Sequence, residues 1–153
     1  MDNLIKKEKY ANLMAKLKKA TDNEYYYEAI FLEYAILEDR TDSLLKHANI
    51  EIVNKNGFPW KLNEKINKIK SRKEFEDLYI KKHLTKDLID SIYEWKCNRD
   101  KLMHNIMNLN YKSSEVKMLA LNGECMIKKL NNKTRLVNNF LDKKHTSNLK
   151  GEN

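Results

Sequence analysis

The sequence predicts an all-α protein, a bundle of about four core helices with shorter helices between them. Two observations support this class. The 153 residues include three glycines and one proline, so few of the residues that punctuate strands and tight turns are present. Apolar residues recur at three- and four-residue spacing, and strong helix formers dominate while runs of β-branched residues are missing.

The first two helices are predicted at residues 2–20 and 22–51. Leu13, Met14 and Leu17 give the first segment an apolar face. Between the two helices, Thr21-Asp22-Asn23-Glu24 resembles a capping box, in which the threonine hydroxyl and the glutamate carboxylate each satisfy a backbone amide at a helix start. The second helix carries two apolar stripes, so we expect neighbouring helices to cover it on both sides.

An Asn-Gly pair and Pro59 interrupt the chain after the second helix, because these residues favour turns. Short helices are predicted between residues 62 and 79, and long helices at residues 86–109 and 114–141. Gly123 lies within the last of these, which predicts close approach of another helix there. We expect one helical domain over residues 1–145, followed by a disordered polar tail at residues 146–153.

The formal net charge is +8, an excess that favours polyanionic partners, nucleic acid first. The lysines are spread along the chain, however, which is equally typical of an ordinary lysine-rich protein. No apolar run reaches membrane-spanning length and no signal-peptide core is present, so we expect a cytoplasmic protein with no membrane partner.

Metal, cofactor and ATPase chemistry lack their usual sequence signals. Cys97 and Cys125 do not form a CxxC pair, and no cluster of histidine and acidic residues has the spacing of metal ligands. A glycine-rich phosphate loop is also missing from the sequence. We therefore expect neither a metal nor a cofactor.

The predicted helix at 86–109 contains the stretch Asn98-Arg99-Asp100-Lys101-Leu102-Met103-His104. An arginine is followed by a polar residue, three others and a histidine. This spacing resembles the R-x(4–6)-H motif of the HEPN superfamily, small helical proteins that include RNA-cleaving toxins and defence nucleases. Residues 33–40 also resemble the first long core helix of several HEPN families, and the resemblance extends over about residues 25–141.

The resemblance implies metal-independent endoribonuclease activity. The ribose 2′-hydroxyl attacks the adjacent phosphate and leaves a 2′,3′-cyclic phosphate and a 5′-hydroxyl. His104 is suited to proton transfer near neutral pH, and Arg99 to stabilising charge on the phosphate. Asn98 and Asp100 would hold these two groups, and Lys101 would contact RNA. A homodimer in which two motifs face each other, and an antitoxin or another regulatory protein as partner, are also implied.

The second helix contributes further candidates. In HEPN families an acidic residue lies under the active site, so Glu38 or Asp39 is expected to orient Arg99. Arg40 is a candidate phosphate contact, and with His47 it forms a looser R-x6-H match whose residues return to one helix face. An ordinary surface row of charge pairs is an equally weighted interpretation of this segment.

Two alternatives to catalysis stay open. Arg99 and His104 are about 140° apart around an ideal helix, so one straight helix does not bring their tips together. Catalysis would then need a distorted helix, a swing of the long arginine side chain, or a second copy of the motif across the cleft. In the non-catalytic interpretation, Arg99 forms a salt bridge with an acid of the second helix and His104 is exposed to solvent. The protein would in that case be a non-catalytic HEPN-like module that binds RNA or protein, or a regulator.

Two further features of the sequence concern regulation and RNA binding. Ile106 occupies a position where some HEPN toxins carry a tyrosine that is modified, so that mode of control is not expected here. The run Tyr25-Tyr26-Tyr27 is able to stack bases, although packing in a core or subunit interface is the commoner role of such residues.

Overall fold

The fold is all-α. A computed structural model describes residues 3–106 and 112–150, and the side chains of residues 7–106 and 112–147. These residues form six α-helices and one 3-10 turn but no strand, and none of the helices has both the length and the apolar composition of a membrane span. The helices are α1 (Asn3–Asp22), α2 (Tyr26–His47), α3 (Leu62–Ser71), α4 (Leu78–His83), α5 (Lys86–Asn105) and α6 (Ser113–Lys150).

The helices fall into two compact units, and the single domain over residues 1–145 stays a prediction. Unit 1 comprises Met1–Leu37 and Glu94–Ile127, and unit 2 comprises Glu38–Tyr93 and Lys128–Asn153. Three helices, α2, α5 and α6, therefore contribute residues to both units. Helix length explains this: at 1.5 Å per residue, helices of 20 to 38 residues are about 30–57 Å long, more than one small core covers.

Unit 1 has an apolar core built from α1, the first half of α2, the second half of α5 and the first half of α6. In unit 1 residues from both predicted stripes of α2 are buried, Ala29, Leu32 and Ile36 from one and Ile30 and Leu37 from the other, so this part of the helix is covered on two sides. Each such side chain contributes about 1.5–3 kcal/mol when it is fully removed from water. The largest fully buried members are Leu17, Ile30, Ile36, Leu37, Leu102 and Ile127.

Unit 2 combines an apolar core with a buried lysine. The Lys65 ammonium of α3 lies 2.7 Å from an Asp42 oxygen and 3.6 Å from a Glu38 oxygen, both on α2. Because a buried lysine is stable only when its charge is paired, these two carboxylates fix α3 against α2. The surrounding fully buried side chains are Leu44, Leu45, Leu62, Ile66, Ile80 and Ile92.

The turn after α1 corrects the predicted start of the second helix. Thr21 lies in the last turn of α1, where its hydroxyl donates to the Leu17 carbonyl at 3.1 Å. Glu24 has a φ of 59°, and the Tyr25 amide donates to the Ala20 carbonyl at 2.8 Å. This left-handed closure ends α1, so α2 begins at Tyr26 and Thr21 does not cap it.

A left-handed turn of the same kind ends α2. Asn49 has a φ of 56°, and the Ile50 amide donates to the Leu45 carbonyl at 2.9 Å. The buried Ile50 side chain accompanies the turn. The helix therefore ends at His47, a few residues before the predicted end near residue 51.

The last helix corrects the predicted disordered tail, because residues 146–150 are helical. The Thr146 hydroxyl donates to the Asp142 carbonyl at 2.9 Å, and His145 bonds to the His47 carbonyl at 3.0 Å. The Ser147 hydroxyl likewise donates to the Lys143 carbonyl at 2.9 Å. Residues 151–153, and the predicted helical residues 107–109, lie outside the described part of the chain.

We expect Glu24→Gly to be more stable than Glu24→Ala by about 1 kcal/mol, because a Cβ is disfavoured at a left-handed position. Both variants lose the same carboxylate and its 3.8 Å ion pair with Lys117, so their comparison isolates the backbone effect. Urea unfolding of the two proteins measures the difference. Equal midpoints would show that Glu24 is not strained.

Candidate functional site

Arg99 is the centre of the candidate site. Its guanidinium carbon lies 4.4 Å from the centroid of the Tyr34 ring, a cation–π arrangement between α5 and α2. Nη1 donates to Asp100 Oδ1 at 3.1 Å. The side chain is 21% exposed, and Nε is buried with no hydrogen-bond partner among the described residues. The guanidinium is thus held on two sides while part of it reaches the surface.

Asp100 joins two cations. Besides Arg99, its carboxylate accepts a hydrogen bond from Lys96 Nζ at 2.7 Å. Burial by itself raises the pKa of Asp100, but the hydrogen bonds from Lys96 and Arg99 outweigh it, and the pKa lies below its usual value. The hydrogen bond to Asp100 in turn raises the pKa of Lys96. Two cations and one carboxylate leave this cluster with one net positive charge.

His104 does not meet Arg99 within one chain. Both residues lie on the regular helix α5, so they are separated by about 140° around the axis and about 7.5 Å along it. His104 is exposed, as are the neighbouring candidates Asn98 and Lys101. The structure therefore places every member of the R-x4-H stretch at or near the surface of α5 except Leu102, which is buried in unit 1.

The two acids predicted to orient Arg99 form other bonds. Glu38 faces the buried Lys65, and Asp39 forms an ion pair with the arginine that follows it. A role of Glu38 or Asp39 towards Arg99 stays a prediction. The carboxylate that the structure places beside Arg99 is Asp100, its neighbour on the same helix.

The R-x6-H pair on α2 has separate partners. Arg40 Nε donates to Asp39 Oδ2 at 3.0 Å. His47 Nδ1 lies 2.7 Å from Asp142 Oδ1 of α6. Both side chains are partly exposed, so a role of either in RNA binding stays a prediction.

Glu33 is a residue that the sequence analysis missed. Its side chain is fully buried in unit 1, where no side chain of the described residues bonds to the carboxyl oxygens and the backbone of Glu124 is the one group that lowers its pKa. Burial, with repulsion from Glu124 as a second cause, raises the pKa of Glu33 to about 9. The residue is therefore a neutral carboxylic acid at pH 7, directly before Tyr34 on α2. The sequence did contain a signal of this burial, because Glu33 lies between apolar residues on the face of α2 that packs into the core.

Gly123 of α6 makes room for this acid, which confirms the predicted close approach. A Cβ at Gly123 would lie 2.1 Å from Glu33 Oε2 and 2.8 Å from Trp95 Nε1. The Trp95 indole donates to the Leu119 carbonyl of α6 at 2.9 Å. Side chains of α2 and α5 thus pack directly on the backbone of α6 at this point.

The tyrosine run at the start of α2 is not part of the core. Tyr25 is 60% exposed and Tyr27 is 47% exposed. Tyr26 is partly buried, and the Lys117 ammonium lies 5.8 Å from its ring centroid. Base stacking and subunit packing by these rings stay predictions.

No protein-family model matches the chain, and no curated protein or solved structure matches it either. The resemblance to HEPN proteins therefore depends on the R-x4-H motif and its helical context.

We expect the free energy of unfolding of the wild type to fall, relative to Glu33→Gln, as the pH rises from about 5 to 9. The folded protein keeps the Glu33 proton up to about pH 9, whereas the unfolded chain releases it near the ordinary glutamate pKa of 4.5. One proton corresponds to a slope of about 1.4 kcal/mol per pH unit. Urea titrations across this range measure it. Glu28→Gln, at an exposed acid of the same helix, is the control, and parallel curves for wild type and Glu33→Gln would contradict the prediction.

Gly123→Ala should lower the free energy of unfolding by about 1–3 kcal/mol through overpacking, although alanine favours helix by about 1 kcal/mol. In a Glu33→Ala background the loss should be smaller, because one of the two clashing groups is removed. Asn122→Ala, at an exposed neighbouring position, should show no loss. A Gly123→Ala protein as stable as the wild type in both backgrounds would show that the contact at Gly123 is loose.

Proposed function

We propose that the protein is a metal-independent endoribonuclease of HEPN type. The observation that carries the proposal is the Arg99 cluster: a partly exposed guanidinium held by Tyr34 and Asp100, with exposed His104 on the same helix. Arginine binds phosphate through several directed N–H groups and keeps its charge at every working pH. The formal net charge of +8 favours approach of a polyanion such as RNA.

In the proposed reaction, Arg99 binds the scissile phosphate and stabilises the charge that develops on its oxygens. His104 accepts the proton of the ribose 2′-hydroxyl. The bond from the 2′-oxygen to phosphorus forms as the bond from phosphorus to the 5′-oxygen breaks, and the leaving oxygen takes a proton from water. The products are a 2′,3′-cyclic phosphate and a 5′-hydroxyl.

The active form in this proposal is a homodimer. Arg99 and His104 diverge on α5, so a single chain presents one without the other. A two-fold axis places Arg99 of one protomer against His104 of its partner and so completes two equivalent sites.

The proposal extends to a role as a toxin or phage-defence component in the cytoplasm, controlled by an antitoxin or another regulatory protein. The resemblance of the R-x4-H stretch to that of HEPN toxins supports this role. The basic surface gives such a regulator an electrostatic target, since an acidic partner binds it readily.

A second candidate function is RNA binding without cleavage. Two observations favour this second function. The side chains of Arg99 and His104 lie on different faces of one helix, and Arg99 Nη1 already donates a hydrogen bond to Asp100. A helical module of this kind would use the net positive charge to hold the RNA backbone and would have no need of His104.

Incubation of the purified protein with total RNA in EDTA tests the proposal. We expect cleavage by the wild type, with cyclic phosphate ends, and a loss of about 10²–10⁴-fold in rate for His104→Ala. Arg99→Ala should lose about 10²-fold or more by analogy with lost oxyanion donors. Asn105→Ala, at an exposed neighbouring position, is the matched control.

Thermal melts separate catalysis from folding. Arg99→Ala should lower the free energy of unfolding by only about 1 kcal/mol, because Asp100 keeps its ion pair with Lys96. RNA that is bound but not cleaved would establish the second candidate function. Cleavage that survives both substitutions would exclude Arg99 and His104 as the reacting groups.

Mixing inactive Arg99→Ala and His104→Ala proteins tests the composite site. Half of the exchanged dimers are mixed, and each mixed dimer contains one intact Arg99–His104 pair, so about a quarter of the wild-type rate should return. No recovery after subunit exchange would contradict a site shared between two protomers.

A further inference from the structure

His47, at the end of α2, is oriented by a carboxylate. Its Nδ1 lies 2.7 Å from Asp142 Oδ1, and its side chain is 37% exposed. Because a carboxylate accepts hydrogen bonds, Nδ1 is the donor of this pair, and in the neutral imidazole the free electron pair is then on Nε2. An imidazole held in this way is the arrangement by which enzymes prepare a general base.

A second histidine next to it is also fixed. His145 Nε2 lies 3.0 Å from the His47 carbonyl oxygen, which only accepts, so Nε2 donates. Asn49 Nδ2 lies 3.3 Å from His145 Nδ1. The carbonyl belongs to the last turn of α2 and has no partner within that helix, so His145 also caps α2 from α6.

These residues surround an open cavity of about 490 Å³ in unit 2. Cavities that bind drug-like molecules are lined mostly by apolar side chains, whereas every residue that lines this cavity carries a polar or charged group. An exposed lysine supplies positive charge, and the two histidines and a hydroxyl supply hydrogen-bonding groups. The lining residues, which we call the His47 cleft, are Lys46, His47, Asn49, Asp142, His145 and Thr146.

We propose that the His47 cleft is a second catalytic site, which binds a phosphodiester of single-stranded RNA and uses His47 as general base. The substrate class rests on the proposed ribonuclease function, but the residues do not depend on Arg99 or His104. Lys46 neutralises charge on the phosphate, and Asp142 is a positioning residue: its bond to Nδ1 makes Nε2 the free nitrogen of the neutral ring and directs it away from α6.

The step at this site balances without a co-reactant other than water. His47 Nε2 takes the proton of the 2′-hydroxyl, and the 2′-oxygen forms its bond to phosphorus. The bond between phosphorus and the 5′-oxygen breaks, and that oxygen takes a proton from water. RNA is required rather than DNA, because the nucleophile is the 2′-hydroxyl.

The test uses the full-length protein and a short single-stranded oligonucleotide that contains one ribonucleotide among deoxyribonucleotides, in EDTA. In a His104→Ala background, in which the Arg99–His104 site is inactive and which the other variants of this test share, we expect His47→Ala to lose about 10²–10⁴-fold of the remaining rate. Asp142→Asn should lose about 10–100-fold by analogy with other residues that orient a histidine. The control is His83→Ala, which removes a histidine of α4 that makes an edge contact with the Tyr79 ring.

Rescue by free imidazole separates a catalytic role from a structural one, because the bonds of the His47 cleft also join α2 to α6. Addition of imidazole to His47→Ala should restore part of the rate, since the small base enters the space that the side chain leaves. A His47→Ala protein with a lower melting temperature but an unchanged rate per folded molecule would overturn the proposal. Failure of imidazole to restore a lost rate would overturn it as well.

The same assay on His104→Ala distinguishes this site from the first. A His104→Ala protein that keeps part of the rate, and loses that part when His47→Ala is added, supports the His47 cleft. A His104→Ala protein that no longer cleaves the oligonucleotide overturns the His47 cleft alone. The full wild-type rate in His104→Ala overturns the Arg99–His104 site, and a wild type that cleaves no RNA overturns both sites.

Discussion

The packing of unit 1 depends on the missing side chain at Gly123. Glu33 and Trp95 both lie where a Cβ would stand, one from α2 and one from α5. Tyr34 follows Glu33 directly, and Arg99 lies one turn after Trp95. The contact at Gly123 thus sets the spacing of the two helices that carry the ring and the guanidinium of the candidate site.

The fold class followed from the sequence because helical periodicity is a local property. All long helices were found near their predicted positions, and the close approach at Gly123 was also anticipated. The helix ends were harder to predict. Glu24 adopts a left-handed conformation in which glycine and asparagine are usual, so nothing in its residue type marks the turn. The local signal at Thr21 favoured a cap that the tertiary structure does not use.

The candidate site was only partly predictable for a related reason. The sequence offered an acid of the second helix as a partner of Arg99, whereas the structure provides the Tyr34 ring and Asp100 of the same helix. Pairing between distant segments leaves little trace in one sequence. Asp142 lies 95 residues after His47, so no spacing rule connects the two. Glu33 escaped notice because glutamate is also an ordinary helix former, and its burial depends on the shape of α6 at one glycine.

The contact between Arg99 and Tyr34 also has a thermodynamic consequence for ligand binding. A long, flexible arginine loses up to about 2 kcal/mol of conformational entropy when it is immobilised. In this protein the ring and the Asp100 carboxylate already restrict Arg99 before any anion arrives. Most of that entropy is therefore lost on folding. When an anion binds the guanidinium, less conformational entropy is lost, so a larger share of the interaction energy appears as affinity. This advantage applies even to a ligand with a single phosphate group.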